Sequence, residues 1–250
     1  YRFQHRYGQN GLKRVLREGF SCENAQISYA QTVTAAGHAS VYTGSVPAIN
    51  GIMGNEWYDR KTSSIINCVT DTRESTVGSI STDGQRSPRN LKTYTITDQL
   101  KLTYPSARVI SISYKDRSAI LPGGHLSDGS YWFDYSTGTF ITSSFFKKEL
   151  PLWLKQFNSK TNSKSYTKNW DLLLSKERYT SIDKSPYELI IGGKTSAEFP
   201  YNFLEMENEA IVNLWNYTTS GGAIVGPTGN EEGVRTGGIA LDEDGALWIT

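Results

Sequence analysis

Residues 108–125 read RVISISYKDRSAILPGGH, and this stretch decides the fold. Its first seven residues mix β-branched Val109, Ile110 and Ile112 with small Ser111 and Ser113, the pattern of a strand buried in a sheet. Charges follow at once in Lys115-Asp116-Arg117, and then the glycines Gly123 and Gly124, so 115–125 reads as a loop at the strand's carboxyl end. Strands that alternate with helices and end in charged loops indicate an α/β domain, with ligands gathered at the carboxyl ends of the strands.

Outward from that strand the pattern continues. On its N-terminal side, 96–102 reads as a helix halted before Pro105. On its C-terminal side, 131–146 reads as a hairpin about Ser136–Gly138, and 151–157 opens an amphipathic helix on Pro151. Nearer the start, 11–20 places Leu12, Val15 and Leu16 at helical spacing, with Gly19 as a stop. Residues 25–29 read as a short strand, and a strand end turns into a helix near Thr34. Pro47, Gly51 and Gly54 make 45–59 a loop. Residues 60–93 are polar and irregular, apart from a short strand at 64–69, and 158–186 reads as a surface excursion. After about Leu204 the character changes. The ending GIALDEDGALWIT, 238–250, has two alternating runs about an Asp-Glu-Asp-Gly turn, a hairpin like one blade of a β-propeller. No second copy occurs, so the array a propeller needs is absent from this sequence.

Composition narrows the function classes. With 26 Lys+Arg against 25 Asp+Glu, the formal charge is +1, which argues against a nucleic-acid binder relying on a basic surface. No apolar run reaches the ~18–20 residues that cross a bilayer. The sequence opens on Tyr1 with no visible signal peptide, and is read as lacking an N-terminal segment. Three histidines, His5, His38 and His125, are too few for a His-rich metal cluster within this chain. Cys22 and Cys68 match no zinc-finger spacing, and either form one disulfide or are two buried thiols.

Three segments carry candidate chemistry. A hydroxyl at Thr34, at a helix start, sits where unpaired N–H groups and the positive dipole end converge, a setting for a nucleophile in an anionic group. The same position suits a plain capping threonine. Asn55, in Gly54-Asn55-Glu56-Trp57, offers an amide to a phosphoryl or acyl oxygen, or else occupies a turn. Lys115 and Arg117 at a strand's end can hold two oxygens of a dianion, or form a solvated loop paired through Asp116. His38 shares a helical face with Thr34 and reads as a hydrogen-bonded structural residue rather than a ligand, and His125 is ambiguous. Trp57, Tyr58, Tyr131, Trp132 and Phe133 read as packing residues rather than a base-stacking platform.

Taken in order, TVTAAGHASVYTGSVPAINGIMGNEWYDR, SPRNLKTYTITDQL, VISISYKDRSAILPGGH and YWFDYSTGTFITSSFFKKELPLW resemble the bacterial alkaline phosphatases of the nucleotide pyrophosphatase/phosphodiesterase-like branch, from about Arg2 to about Tyr201. The resemblance implies an alkaline-phosphatase-like core with a central, mostly parallel sheet between helices over 1–204, followed by a propeller-like tail over 205–250. It implies Thr34 as the nucleophile that becomes phosphothreonine and ligates one of two zinc ions. Asn55, Lys115 and Arg117 would contact the phosphoryl oxygens, and the Lys-x-Arg pair would favour monoesters over diesters. It further implies small phosphate monoesters as substrates and a periplasmic or secreted setting. The family's remaining metal ligands, in an early Asp, D-x-x-x-H, D-H and a late His, have no match here. The expectation is therefore a phosphatase piece inactive by itself. The alternatives are a non-catalytic fragment or propeller-type sensor, and a phosphodiesterase. A sulfatase is disfavoured by the lack of a Cys/Ser-x-Pro-Ser-Arg motif. With its first sheet strand lacking, the chain is expected to be marginally stable.

Overall fold

The computed structural model describes residues 7–160, parts of 170–202, and the backbone of 239–241 and 247–249. The chain divides into two compact units, Tyr1–Ala30 and Gln31–Thr250. In the first, helix α1 (Leu12–Glu18) buries none of its residues and ends where Gly19 N donates to Val15 O. Glu18 pairs with Arg14 one turn away and with Arg17, exposed contacts of small worth. The strand expected at 25–29 does not form, since the apolar alternation there finds no ladder to join among the described residues.

The second unit is built on a four-stranded sheet of order β3-β6-β5-β4, with β3 at Thr76–Val77, β4 at Ile110–Ser113, β5 at Gly129–Asp134 and β6 at Thr139–Ser143. The α/β class holds, and the sheet is mixed. β4 and β5 run parallel, with Ile110 opposite Gly129, while β5–β6 and β6–β3 are antiparallel. A β-strand exposes successive side chains on opposite faces, and β5 shows it: Trp132 joins one core cluster and Tyr131 the other. All six residues of β5 are buried. On the Trp132 face lie α2 (Thr34–Thr43) and α5 (Asp116–Gly123), contributing Ala35, Ala39, Ala119, Ile120 and Leu121. On the Tyr131 face, Leu150 and Leu154 pack against Val77, Ile112 and Phe140, with Leu154 on α6 (Leu152–Lys160). The sheet therefore lies between helices. Asn158 of α6 pairs its side-chain amide with both backbone groups of Phe140, at 3.0 and 2.8 Å, and pins that helix to β6.

The largest departure from expectation is α5 itself. Residues 116–123 form a helix rather than a loop, despite Pro122 and the glycine pair. Sequence punctuation is outweighed by burial, because Ala119, Ile120 and Leu121 are fully enclosed. Its end is closed from outside, where Thr97 Oγ1 donates to Pro122 O at 2.7 Å. The glycines are required by contact. A Cβ on Gly123 would meet Ser130 Oγ at 2.5 Å and Ser111 Oγ at 2.6 Å. Gly124 has φ +73°, and a Cβ there would meet Thr95 Oγ1 at 2.4 Å. Ser111 Oγ in turn donates to Ala119 O at 2.6 Å, tying β4 to α5.

Other expectations need smaller corrections. The loop 45–59 contains α3 (Pro47–Asn50) and strand β1 (Glu56–Asp59). β1 pairs antiparallel with β2 (Ser64–Asn67), close to the strand read at 64–69. α2 begins at Thr34 as read, but no strand precedes it. The helix at 96–102 is α4 (Ile96–Thr103). Trp132, Tyr131 and Phe133 are packing residues, Trp57 packs at the edge of the core, and Tyr58 is exposed. Cys22 and Cys68 are free thiols, exposed and buried respectively, so neither the disulfide nor a pair of buried thiols describes them. The irregular 60–93 region is braced by Asp71, which accepts from Arg73, Ser87 and Arg89. Burial pushes the Asp71 carboxyl up, but these donors outweigh it and hold it far below the usual range. At the C-terminal end, β7 (Ile239–Leu241) and β8 (Leu247–Ile249) pair antiparallel, so the hairpin is present, while its Asp-Glu-Asp-Gly turn and most of the 158–186 segment lie outside the described residues.

α4 starts in a capping box, with Thr95 Oγ1 accepting from Asp98 N at 3.0 Å and Asp98 Oδ2 accepting from Thr95 N at 2.9 Å. Asp98 is fully buried and also accepts from Leu126 N at 2.7 Å, with His125 Nδ1 at 3.4 Å. Burial raises the Asp98 carboxyl, but His125 and the N–H groups of Thr95 and Leu126 lower it further, and the net shift is downward. A carboxyl depressed on folding stabilises the protein above its unfolded value, near 3.9, and loses that contribution as pH falls through the folded value. Asp98→Asn is expected to cost about 1–3 kcal/mol at neutral pH. In urea denaturation, the gap to wild type should shrink as the pH drops below about 4.

Candidate active site

Thr34 is the first residue of α2, and the N-cap before it is Val33, whose side chain cannot accept a hydrogen bond. The missing acceptor is supplied from a distance, because Ala35 N donates to Asn55 Oδ1 at 2.9 Å. That bond fixes the amide of Asn55: its oxygen faces the helix, and its Nδ2 remains the donor end. The backbone of Asn55 is fixed as well, since its carbonyl accepts from Cys68 N at 2.9 Å. Just before α2, Gln31 takes φ +57°, a conformation uncommon outside glycine and found where a local arrangement is over-determined. Thr34 and Asn55, separate in sequence, are thus brought to one helix start.

His38 lies one turn after Thr34, and its Nδ1 sits 2.7 Å from Thr34 O. A carbonyl only accepts, so Nδ1 carries the proton. Burial lowers the pKa of His38 and the bond to Thr34 O opposes that in part. His38 is therefore a neutral, hydrogen-bonded structural residue, as expected from the sequence.

Lys115 is the N-cap of α5, and Asp116 and Arg117 form its first turn. Lys115 and Arg117 thus sit at a helix N-terminus, where the dipole favours an anion. Asp116 is no solvated spacer. Its Oδ1 accepts from Arg117 N at 2.6 Å, and its Oδ2 accepts from Arg86 Nε at 2.8 Å. The side chains of Arg86, Asp116 and Arg117 are 19%, 14% and 13% exposed, so their charges are only partly screened. Sequence reading had no signal for Arg86, which lies in a polar stretch without a motif.

Cys68 links the two groups. Burial pushes its thiol up to about 12; the charge of Arg117 opposes this, the carboxylate of Asp116 adds to it, and Arg86 opposes it more weakly. Cys68, which donates to Asn55 O, thus lies within the field of Arg117, and α2 packs directly on α5. Thr34 and Asn55 thus stand at the start of α2, and Lys115 and Arg117 at the start of α5, on two helices that pack on the Trp132 face of the sheet. Among the described residues the donors around Thr34 do not make up a metal-binding set. Among the described residues there is no cluster of three or more His, Cys, Asp and Glu. Thr34 offers one hydroxyl, His38, whose Nδ1 is held by Thr34 O, offers one further nitrogen, and His125 lies against Asp98 and Leu91 O. His5 lies outside the described residues.

Against known proteins, residues 1–186 match the family of type I phosphodiesterases and nucleotide pyrophosphatases. The chain belongs to that family. It is 46% identical over 213 residues to alkaline phosphatase PhoV of Synechococcus elongatus, covering 84% of this chain and 39% of PhoV. It is 44% identical over 229 residues to alkaline phosphatase PafA of Elizabethkingia meningoseptica, covering 90% of this chain and 42% of PafA. A solved PafA variant, substituted at one threonine, one asparagine, one lysine and one arginine, superposes with TM-score 0.79 at 42% identity, over 86% of this chain and 43% of the variant. The chain thus spans about two fifths of the length of the relatives it matches. Among the described residues no helix is long and apolar enough to cross a membrane.

The Asn55 bracket has a measurable stability consequence. Asn55→Ala leaves Ala35 N without its acceptor and should cost about 0.5–2 kcal/mol in urea denaturation, as loss of an N-cap does. Asn55→Asp, which keeps an acceptor, should cost less.

Proposed function

We propose that this chain forms the phosphoryl-binding part of a phosphate monoester hydrolase of the alkaline phosphatase kind. The observation that carries the reading is that Thr34, bracketed by Asn55, opens α2 and Lys115 and Arg117 open α5, on two helices that pack together. In this reading Thr34 Oγ bonds to phosphorus as the ester P–O bond breaks and the alcohol departs. Water then cleaves the phosphothreonine and releases phosphate. Asn55 Nδ2 donates to a phosphoryl oxygen, and the two cations hold the other oxygens of a dianion, stabilising charge on the group in transfer. The PafA variant supports the assignment: its substituted threonine and asparagine stand as far apart as Thr34 and Asn55, and its lysine and arginine as far apart as Lys115 and Arg117.

A threonine hydroxyl is a weak nucleophile unless a base or a metal activates it. Zinc is the activator that the family resemblance implies. The described residues add no ligand set to Thr34, so no step is routed through it. The 250-residue chain by itself is accordingly proposed to bind zinc weakly and to turn over little substrate. A periplasmic or secreted setting, and a division into a phosphatase part at 1–204 and a propeller-like part at 205–250, belong to the same proposal. A phosphodiesterase is the second reading, favoured by the family's own description. The Lys115/Arg117 pair argues against it, because a diester carries one charge less and an extra substituent where those cations would bind.

The test uses a hybrid in which this chain replaces the matching stretch of PafA, assayed with p-nitrophenyl phosphate and bis-p-nitrophenyl phosphate. Thr34→Ala should lower monoester turnover by about a thousandfold or more. Lys115→Ala with Arg117→Ala should lower kcat/KM for the monoester by roughly 10²–10⁴-fold and leave the diester nearly unchanged. Wild-type turnover with Thr34→Ala would overturn the nucleophile, and equal losses on both esters would favour the phosphodiesterase. Robust hydrolysis by the unfused chain with stoichiometric zinc would overturn its proposed inactivity.

A further inference from the structure

The Lys115-x-Arg117 pair has a carboxylate between its two cations, and that carboxylate poses a problem. Asp116 Oδ1 already accepts from Arg117 N at 2.6 Å and lies 3.5 Å from Arg117 Nε. With both side chains less than one-sixth exposed, an unrestrained Asp116 would close on the Arg117 guanidinium as a forked pair and cancel the charge meant for an anion. In the structure the pair is held to that one long contact at Nε, because the other carboxylate oxygen is engaged by Arg86 Nε at 2.8 Å. Arg86 is itself anchored. It forms an antiparallel bridge with Thr70, its Nη1 donates to Gln85 O at 3.1 Å, and Ser87 N beside it donates to Val69 O at 2.9 Å. Asp83 lies 3.9 Å from Arg86 Nη2, a longer and more exposed contact.

We propose that Arg86 is a positioning residue for a dianion site at Lys115 and Arg117: it holds and neutralises Asp116, so that the carboxylate orders the first turn of α5 without cancelling the charge of Arg117. This rests on the phosphoryl-binding reading above and extends it to specificity. Arg117 brings its charge to a phosphoryl group beside Lys115 only while Arg86 balances Asp116. A dianion, which needs both, depends on Arg86 more than a monoanion does. Arg86 acts through Asp116 rather than on the ligand.

The experiment titrates the full 250-residue chain with inorganic phosphate at mildly alkaline pH, where it is a dianion, and with dimethyl phosphate, a monoanion. Chemical-shift changes of the arginine Nε–H signals give affinities down to the millimolar range. Arg86→Met should weaken phosphate about tenfold and dimethyl phosphate less than threefold, and Arg86→Lys should recover part of the loss. Adding Asp116→Asn to Arg86→Met should restore phosphate binding to within about twofold of wild type, since the charge that Arg86 balanced is gone. Should Arg86→Met fail to fold, Asp116→Asn alone decides the matter, with phosphate binding at least as tight as wild type expected. Unchanged phosphate affinity in a folded Arg86→Met chain, no rescue in the double variant, or loss of binding in Asp116→Asn would each overturn the proposal and leave the site reading intact. A wild-type chain that binds no phosphate would overturn the site reading, and the role of Arg86 with it.

Discussion

Much of this fold depends on one helix being buried from several sides. α5 lies on β4 and β5 with α2 against it, and from Ala119 to Gly123 every residue is buried. Such a position is possible only if its neighbours are small where they touch. Ala35 and Ala39 of α2 supply that on one side, and Ser111 and Ser130 of the sheet supply it on the other. Helix axes approach as closely as the side chains between them allow. Close packing of α5 fixes where its N-terminus emerges, and so where Lys115 and Arg117 are presented. It also fixes the start of α2, because the two helices share one core cluster.

The polar residues are arranged around that core so that few buried groups lack partners. Among the described residues, Thr93 Oγ1 is the buried side-chain atom without one. The long irregular stretch from Cys68 to Leu91 takes its order from charge: Asp71 collects Arg73 and Arg89, and Arg89 reaches Glu74, which Ser144 Oγ joins to the segment after β6. A loop braced in this way can hold Arg86 steady beside α5. A mobile loop would place the same charge only on average.

Much of this was legible in the sequence, and the rest fails for specific reasons. β4, α4, the β5–β6 hairpin and the helix beginning at Thr34 follow from periodicity and capping residues, which are local signals. Thr34, Asn55, Lys115 and Arg117 were found because their types and order resemble a family. Thr34 and Asn55 are joined by a bond from Ala35 N to the Asn55 side chain, which no local pattern encodes. α5 was misread as a loop because Pro122, Gly123 and Gly124 are breakers in solvent, whereas here burial and Thr97 supply what the sequence lacks. Arg86 carried no signal at all, since its role is defined only by a partner thirty residues away.

The adjacent glycines at 123 and 124 bear on how the sequence can drift. They look like one flexible motif, yet each answers to different neighbours. Position 123 is limited by the serines of β4 and β5, and position 124 by its backbone angle and by Thr95 and Asp98 at the start of α4. A side chain at one would require changes in the sheet, and a side chain at the other would require changes in the capping box. The two positions are therefore inherited under separate constraints, and neither can relax to accommodate a change in the other.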